Sequence, residues 1–276
     1  MKPATTLVLG GTGKTGRRVA ERLERGGHAI RVGSRSNAPA FDWEDRATWA
    51  GALDGAEAVY VSYYPDLAVP GAPEAVGEFT EQAVAAGVRR LVLVSGRGEP
   101  EAQRSERVLA QAADGAEWTV VRASWFNQNF NEGYLLDPVL SGEVALPAGD
   151  VPEPFVDADD IADVAVLALT ADGHSGEVYE VTGPRLLTFA EAVDEIARAT
   201  RRDLRYTRIG VDELAAGLAE AQVPDDYIGL LRYIFGEVLD GRNADVTDGV
   251  QRALGREPRD FADFVRDAAA TGVWDV

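Results

Sequence analysis

The feature that most constrains the fold is a glycine-rich segment, GGTGKTG at residues 10–16, between a short apolar run and an amphipathic one. The segment satisfies both G-x-x-G-x-x-G and G-x-G-x-x-G. Glycine lets the backbone turn tightly and approach a diphosphate, and the N–H groups at the start of a following helix attract the anion. We therefore predict a dinucleotide-binding turn between a strand, Thr5–Leu9, and a helix, Lys14–Arg25. Its predicted cofactor-binding residues are Gly10, Thr12, Gly13, Lys14, Thr15 and Gly16.

The glycine-rich segment has two alternative interpretations. Gly13-Lys14-Thr15 resembles the end of a P-loop, but that motif needs a glycine five positions before its last glycine, and that position is Val8, inside the strand. No apolar strand ends in a well-placed aspartate for magnesium either. A purely structural glycine turn is the other alternative, and the position between the first strand and helix argues against it.

Short apolar runs then alternate with amphipathic ones as far as residue 123. After the first strand, the predicted strands are Ala29–Gly33, Ala58–Ser62, Arg90–Ser95 and Trp118–Arg122, with a short segment at Phe41–Asp42. The predicted helices between them are Ala47–Leu53, Glu74–Ala86 and Ala102–Ala113. Apolar runs without polar alternation are typical of strands covered on both faces. The fold class predicted is α/β, a Rossmann-type doubly wound parallel sheet with a smaller C-terminal substrate lobe.

This alternation ends near residue 123, where proline-rich turns begin. Further on we predict a strand at Val178–Val181 and helices at Asp159–Leu169, Phe189–Ala199, Val211–Ala221, Tyr227–Leu239 and Phe261–Ala270. The apolar spacing of Tyr227, Ile228, Leu231 and Ile234 predicts packing onto the sheet. We expect one NAD(P)-binding domain over 1–276, with its core at about 1–155 and substrate-lobe elements at about 123–150 and 185–276.

The end of the second predicted strand bears on which dinucleotide is bound. An NAD site usually has Asp or Glu there to hold the ribose 2′-hydroxyl, but this strand is followed by Gly33-Ser34-Arg35-Ser36, and the next carboxylate is Asp42. A guanidinium can hold a 2′-phosphate and stack on adenine. The sequence therefore favours NADP(H), with Arg35 and Ser34 as binding residues, although Arg35 as a solvated surface arginine is the alternative.

Composition excludes several other classes of site. The chain has no cysteine and two histidines, which removes thiolate catalysis and disfavours a metal site. Its formal net charge of −19 disfavours nucleic acids and anionic membranes as partners. No run approaches the roughly 20 apolar residues of a membrane helix. We expect a cytoplasmic protein acting on a small molecule, and we also consider a homodimer.

Several strings resemble the NmrA-like group of atypical short-chain dehydrogenases/reductases, which includes NAD(P)H:quinone reductases and dinucleotide-sensing regulators. They are LVLGGTGKTGRRVAERLERGGHAIRVGSR, LDGAEAVYVSYYP, AGVRRLVLVSGRG, TVVRASWFNQNF and EPFVDADDIADVAVLAL, in order over about residues 5–185. Counting Phe41–Asp42 as a strand, the resemblance places Ser62 and Tyr63 after the fourth strand and Ser95 after the fifth, along the ribose and nicotinamide. It implies that Trp125, Phe126, Asn127 and Asn129 lie near the nicotinamide or the substrate.

The wider superfamily reduces ketones with a tyrosine and a lysine four positions apart. That dyad is absent here, because no lysine follows Lys14 and no tyrosine lies in the segment after Ser95. An alkoxide needs a matched proton donor, whereas a hydroquinone anion or an enolate is far less basic and an iminium develops no anion. Proximity alone can then support direct hydride transfer.

We therefore expect an NADPH-dependent oxidoreductase acting on a small flat acceptor such as a quinone, enone or imine. The main alternative is a non-catalytic NADP(H)-sensing regulator, and an epimerase or lyase is less favoured. Catalytic candidates are Ser95, Tyr63 and Asn127; substrate candidates are Tyr64, Trp125, Phe126 and Asn129. Asp157, Asp159 and Asp160 are interpreted as solvated residues, Asp159 capping a helix that begins at Ile161, rather than metal ligands.

Overall fold

The computed structural model describes residues 5–276; the first four positions of the predicted domain, including Lys2, lie outside the described residues. The strands are β1 (Thr5–Leu9), β2 (Ala29–Gly33), β3 (Ala56–Val61), β4 (Arg90–Gly96), β5 (Glu117–Ala123), β6 (Glu143–Leu146), β7 (Glu177–Val181) and β8 (Arg205–Arg208). The helices are α1 (Lys14–Arg25), α2 (Trp49–Leu53), α3 (Ala72–Ala85), α4 (Pro100–Ala112), α5 (Asn129–Glu132), α6 (Leu136–Ser141), α7 (Ala158–Thr170), α8 (Phe189–Thr200), α9 (Val211–Glu220), α10 (Asp225–Tyr233), α11 (Gly249–Leu254) and α12 (Phe261–Ala270).

Six strands form one sheet in the order β2-β1-β3-β4-β5-β7, and every neighbouring pair is parallel. This order confirms the predicted Rossmann-type sheet. The Phe41–Asp42 segment is not a strand; its Phe41 N–H donates to the Ser34 carbonyl in the loop after β2. Ser62 therefore follows the third strand, and Ser95 lies within the fourth. Beyond the predicted elements, β6 and β8 form a separate parallel pair.

The chain divides into two compact units. Unit 1 comprises residues 1–123, 158–181 and 248–256, and it contains the six-stranded sheet. Unit 2 comprises residues 124–157, 182–247 and 257–276, and it contains the β6–β8 pair.

The two faces of the sheet in unit 1 are covered by different helices, and α3 packs beside α4 while α1 packs beside α7. In β1, Leu7 and Leu9 join a buried cluster with Phe79 of α3, whereas Val8 between them points to the other face and is also fully buried. Side chains alternate across a strand, so a run with no polar member has both faces covered. This burial explains why the strand sequences lack polar alternation.

Unit 2 has its own core, rich in aromatic side chains. Phe130, Phe189 and Phe261 are at most 2% exposed and belong to one buried cluster, together with Leu231 of α10. The predicted packing of the α10 face onto the six-stranded sheet is wrong, because Leu231 packs in this separate core. Tyr227, placed on the same face, is 38% exposed.

The acidic residues around the start of α7 are not solvated, in contrast to the prediction. The helix begins at Ala158, so Asp159 lies inside its first turn and not at a cap, and it accepts a hydrogen bond from Arg22 of α1 at 2.6 Å. Asp157 and Asp160 are 4% and 0% exposed. The interpretation as a solvated cap is wrong because Asp157 accepts a hydrogen bond from Gln128, Asp160 pairs with Arg256, and Asp159 pairs with Arg22. Among residues 5–276, no helix is long and apolar enough to cross a membrane.

Candidate functional site

The turn after β1 can form only with glycine at several positions. A Cβ added to Gly16 would lie 2.2 Å from the carbonyl oxygen of Gly10, and Gly10 itself has a positive φ of 65°. The Gly13 N–H donates to the same Gly10 oxygen at 2.8 Å, which closes the turn. The loop backbone therefore packs against itself without intervening side chains, as a close approach to a diphosphate requires.

A buried residue of β3 that was not predicted from the sequence contacts the first turn of α1. Tyr60 of β3 is fully buried, and its hydroxyl donates to the Thr15 Oγ1 at 2.8 Å. Burial raises the pKa of the Tyr60 hydroxyl, so it remains a donor. The N-cap of α1 is Gly13, and no side chain caps it. Thr15 is therefore held inside unit 1 by Tyr60, and no side chain of residues 5–276 caps the first turn of α1. On these observations, a pyrophosphate fits the loop.

Arg35 lies just beyond the end of β2 and is exposed. Its guanidinium carbon lies 5.9 Å from the centre of the Tyr64 ring. Within the described range 5–276, no carboxylate lies within 4 Å of its nitrogens. The neighbouring Ser34 Oγ is 3.2 Å from the Ser36 Oγ. Arg35 and Ser34 thus present donors at the end of β2.

Ser62 and Tyr63 follow β3, next to the glycine turn. A Cβ on Gly10 would lie 3.1 Å from the Ser62 side chain. The Ser62 carbonyl accepts a hydrogen bond from the Trp43 Nε1 at 3.0 Å, and the Tyr63 ring packs on Trp43 with centroids 4.8 Å apart. Burial, then the charge of Glu44, raises the pKa of Tyr63. The structure therefore brings both predicted residues to the edge that carries the turn.

Ser95 lies in a buried ionic network at the end of β4. Its hydroxyl donates to the Glu106 Oε1 at 2.6 Å, and the Arg122 Nε donates to the same oxygen at 2.9 Å. Arg122 also binds Glu180 of β7. The hydrogen bonds that Arg122 donates to Glu106, the largest cause, raise the pKa of Arg122. The Ser95 hydroxyl therefore already donates its hydrogen bond within this network, which spans β4, α4, β5 and β7.

A pair of carboxyl groups, which the sequence analysis also missed, lies beyond the ends of β3 and β4. Burial, followed by the nearby Asp66 carboxylate, raises the pKa of Glu99 to about 9. Burial also raises the pKa of Asp66, while hydrogen bonds from the Ala68 N–H and from Glu99 oppose that shift. The Glu99 carboxyl lies over Gly96, where an added Cβ would be 2.3 Å from its Oε1. Glu99 is therefore protonated at neutral pH and hydrogen-bonded to Asp66.

Unit 2 contains the other predicted substrate residues. Trp125 is partly buried, with its ring 5.1 Å from Phe189 between centroids, and Phe126 pairs through its backbone with Val156. Asn127 is fully buried, and both polar atoms of its side chain lack a hydrogen-bond partner among residues 5–276. Asn129 begins α5. An unpaired buried amide is rare because it loses its hydrogen bonds to water without replacement.

Comparisons with known proteins agree with this geometry. The chain matches the NAD(P)H-binding family over residues 10–172, which covers the glycine turn and five strands. The chain belongs to this family. Its cofactor is NAD(P)H, which confirms the prediction of a nicotinamide dinucleotide.

Relatives within this family place the chain among the NmrA-like atypical reductases. The uncharacterized oxidoreductase YesF of Bacillus subtilis is 32% identical, over 99% of each chain. Agroclavine dehydrogenase of Claviceps fusiformis is 32% identical, over 95% of this chain and 96% of its own. The NADPH-dependent quinone oxidoreductase of Escherichia coli, solved with NADPH, has a TM-score of 0.78 at 21% identity and covers 95% of this chain and 99% of its own. The family member described here is an NAD(P)H-dependent oxidoreductase.

Proposed function

We propose that this protein uses NADPH, in preference to NADH, to reduce a small, flat, electron-poor acceptor such as a quinone, enone or imine. The observation that carries the proposal is the glycine turn together with an exposed Arg35 at the neighbouring strand end, which pairs with no carboxylate of residues 5–276. Unit 1 carries the proposed cofactor-binding residues, and unit 2 carries the predicted substrate residues of the segment 125–129.

The cofactor-binding residues have distinct tasks in this proposal. Backbone amides of residues 12–15 hold the diphosphate, and Thr15, fixed by Tyr60, keeps the first turn of α1 in place. Arg35 and Ser34 bind the 2′-phosphate, since a guanidinium makes charge-assisted hydrogen bonds to phosphate. Ser62 and Tyr63 line the ribose. When bound, NADPH supplies a hydride equivalent from its nicotinamide ring.

The acceptor class follows from the missing dyad. The sequence has no lysine after Lys14, so no Tyr/Lys pair can donate a proton to an alkoxide. A simple ketone develops a strongly basic oxygen and needs such a donor. A quinone or enone develops a weakly basic oxygen, and an iminium nitrogen develops no negative charge, so positioning contributes most of the rate.

We propose that the Glu99 carboxyl holds the proton that a quinone or enone still requires. A quinone that gains a hydride and one proton becomes a hydroquinone. The Glu99 proton, which is hydrogen-bonded to Asp66 when no acceptor is bound, would leave that bond and pass to the acceptor oxygen. The negative charge left on Glu99 then lies beside Asp66, so reprotonation from solvent is favoured. This assignment needs neither Ser95, whose hydroxyl is bound to Glu106, nor a metal.

We assign the acceptor contact in unit 2 to Asn127. Its amide oxygen and nitrogen are buried without partners, so a carbonyl or amide of a ligand would supply the missing hydrogen bond. Trp125 offers a partly buried aromatic surface near it in sequence, suited to a flat acceptor. Phe126 and Asn129 remain predicted substrate residues on the same segment.

The test is NADPH oxidation, followed at 340 nm, with a small panel of quinones, enones, imines and simple ketones. The proposal expects turnover with at least one flat acceptor, no turnover with simple ketones, and a higher kcat/KM with NADPH than with NADH. If no acceptor of the panel supports NADPH oxidation while calorimetry shows that NADPH binds, the result would favour a non-catalytic NADP(H) sensor. Efficient reduction of a simple ketone would contradict the argument from the missing dyad.

A further inference from the structure

Arg35 and Tyr64 form an isolated surface pair in unit 1. The guanidinium carbon is 5.9 Å from the centre of the ring, within the range of a cation–π contact. Tyr64 is 69% exposed, so its ring contributes little to the core. The ring therefore covers an arginine instead of filling the interior.

The loop that carries Tyr64 is held by its own backbone contacts. Two residues after it, the Asp66 Oδ1 accepts a hydrogen bond from the Ala68 N–H at 2.8 Å, and the Asp66 carbonyl accepts one from the Val69 N–H. The exposed ring is thus presented from a fixed turn. Its position does not depend on packing of the ring itself.

The topology puts this pair beside the phosphate-binding turn. Strands β2 and β3 are the two neighbours of β1 in a parallel sheet, so their carboxyl ends flank the turn that follows β1. Arg35 follows β2 and Tyr64 follows β3. The pair therefore bridges the two sides of that turn.

Arg35 lies against an aromatic ring and not against a carboxylate. The sequence has 46 acidic and 27 basic residues, and arginines nearby, such as Arg46 with Glu78, have carboxylate partners. No carboxylate within the described part of the chain lies within 4 Å of Arg35. An aromatic face holds a cation without neutralising it, so the charge stays available to an anion.

We propose that Tyr64 is a positioning residue that holds Arg35 ready for the adenosine 2′-phosphate, and so contributes to the choice of NADPH over NADH. The inference rests on the proposed NADPH preference, and it moves Tyr64 from the acceptor to the adenosine end of the cofactor. An arginine without this support would sample many rotamers and lose that freedom on binding. Tyr64 would lower that loss without touching the phosphate.

The test is a double-mutant cycle on the whole protein, with NADPH and NADH dissociation constants from calorimetry. The quantity compared is the discrimination ratio, Kd for NADH divided by Kd for NADPH. Arg35→Leu should lower this ratio about 10- to 100-fold, as expected for lost hydrogen bonds to a charged phosphate. Tyr64→Leu should lower it about threefold, the size of an exposed cation–π contact.

Two further variants separate positioning from a general structural effect. Tyr64→Phe keeps the ring and should leave the ratio unchanged. In the Arg35→Leu background, Tyr64→Leu should have no added effect, because its partner is gone. Adenosine 2′,5′-bisphosphate lacks nicotinamide but keeps the 2′-phosphate. Its affinity should fall in the same variants that lose NADPH affinity, which would exclude a role of Tyr64 confined to the acceptor.

The outcomes distinguish this inference from the proposed function. If the wild-type protein binds NADH as tightly as NADPH, the NADPH preference itself fails, and if Arg35→Leu leaves NADPH affinity unchanged, the assignment of Arg35 to the 2′-phosphate fails. If Arg35→Leu acts as expected but Tyr64→Leu weakens NADPH and NADH equally, or adds fully to Arg35→Leu, only the positioning role is overturned.

Discussion

Gly16→Ala is the sharpest perturbation of the phosphate-binding turn. The new Cβ would lie 2.2 Å from the Gly10 oxygen and 2.6 Å from its carbonyl carbon, below the 3.0 Å that real Cβ contacts respect. Only backbone movement can relieve this overlap, and overpacking of this kind costs about 1–3 kcal/mol. If the turn moves out of its binding geometry, NADPH affinity should fall about 5- to 150-fold.

Gly51→Ala in α2 is the control, because it lies outside the turn and its Cβ would meet the Pro39 Cβ at 3.5 Å, an ordinary van der Waals contact. We expect its NADPH affinity to change by no more than about threefold. The assay is isothermal titration calorimetry with NADPH, with circular dichroism melts to verify that each variant is folded at the assay temperature. Wild-type affinity in Gly16→Ala, or equal losses in both variants, would refute the assignment of the turn.

Three further predictions follow from buried polar groups. Because the pKa of Glu99 is raised to about 9, this carboxyl stabilises the fold fully below its ordinary pKa and loses that contribution as pH rises from about 5 through 9. Glu99→Gln, which keeps a donor toward Asp66, should flatten the decline of Tm with pH, and an unchanged profile would contradict the shift. Glu106→Gln should lower the free energy of unfolding by about 3 kcal/mol in urea titrations, because it removes a charge partner of Arg122. A change within about 0.5 kcal/mol would show that the network contributes little to stability. Asn127→Leu should raise Tm without ligand by removing an unsatisfied amide, yet lower kcat/KM for the acceptor; unchanged kcat/KM would remove Asn127 from the site.

Helices and strands whose ends are marked by neighbouring residues in the sequence could be predicted. The bounds of β1, α1 and β2 agree with the structure, because the glycine turn marks both the end of the strand and the start of the helix. The pair of β6 and β8 was not predicted. Their sequences, EVAL and RYTR, are four residues each and lie about 60 positions apart, so no periodicity connects them.

The predicted cofactor residues are carried by the strand ends, and a parallel sheet brings strand ends together. The contacts that position these residues could not be predicted from the sequence. The hydroxyl of Tyr60 reaches Thr15 across 45 positions of sequence, and Asp66 meets Glu99 across 33. These contacts depend on which strands are neighbours, which the sequence pattern alone leaves open. A tyrosine inside an otherwise apolar buried strand was the available signal, since its hydroxyl needs a partner.

A crystal structure of the protein with NADP⁺ tests the central claim most directly. The account predicts the diphosphate on the backbone amides of residues 12–15, and the 2′-phosphate within hydrogen-bonding distance of the Arg35 guanidinium. A dinucleotide bound away from the glycine turn, or a 2′-phosphate with no contact to Arg35, would contradict it.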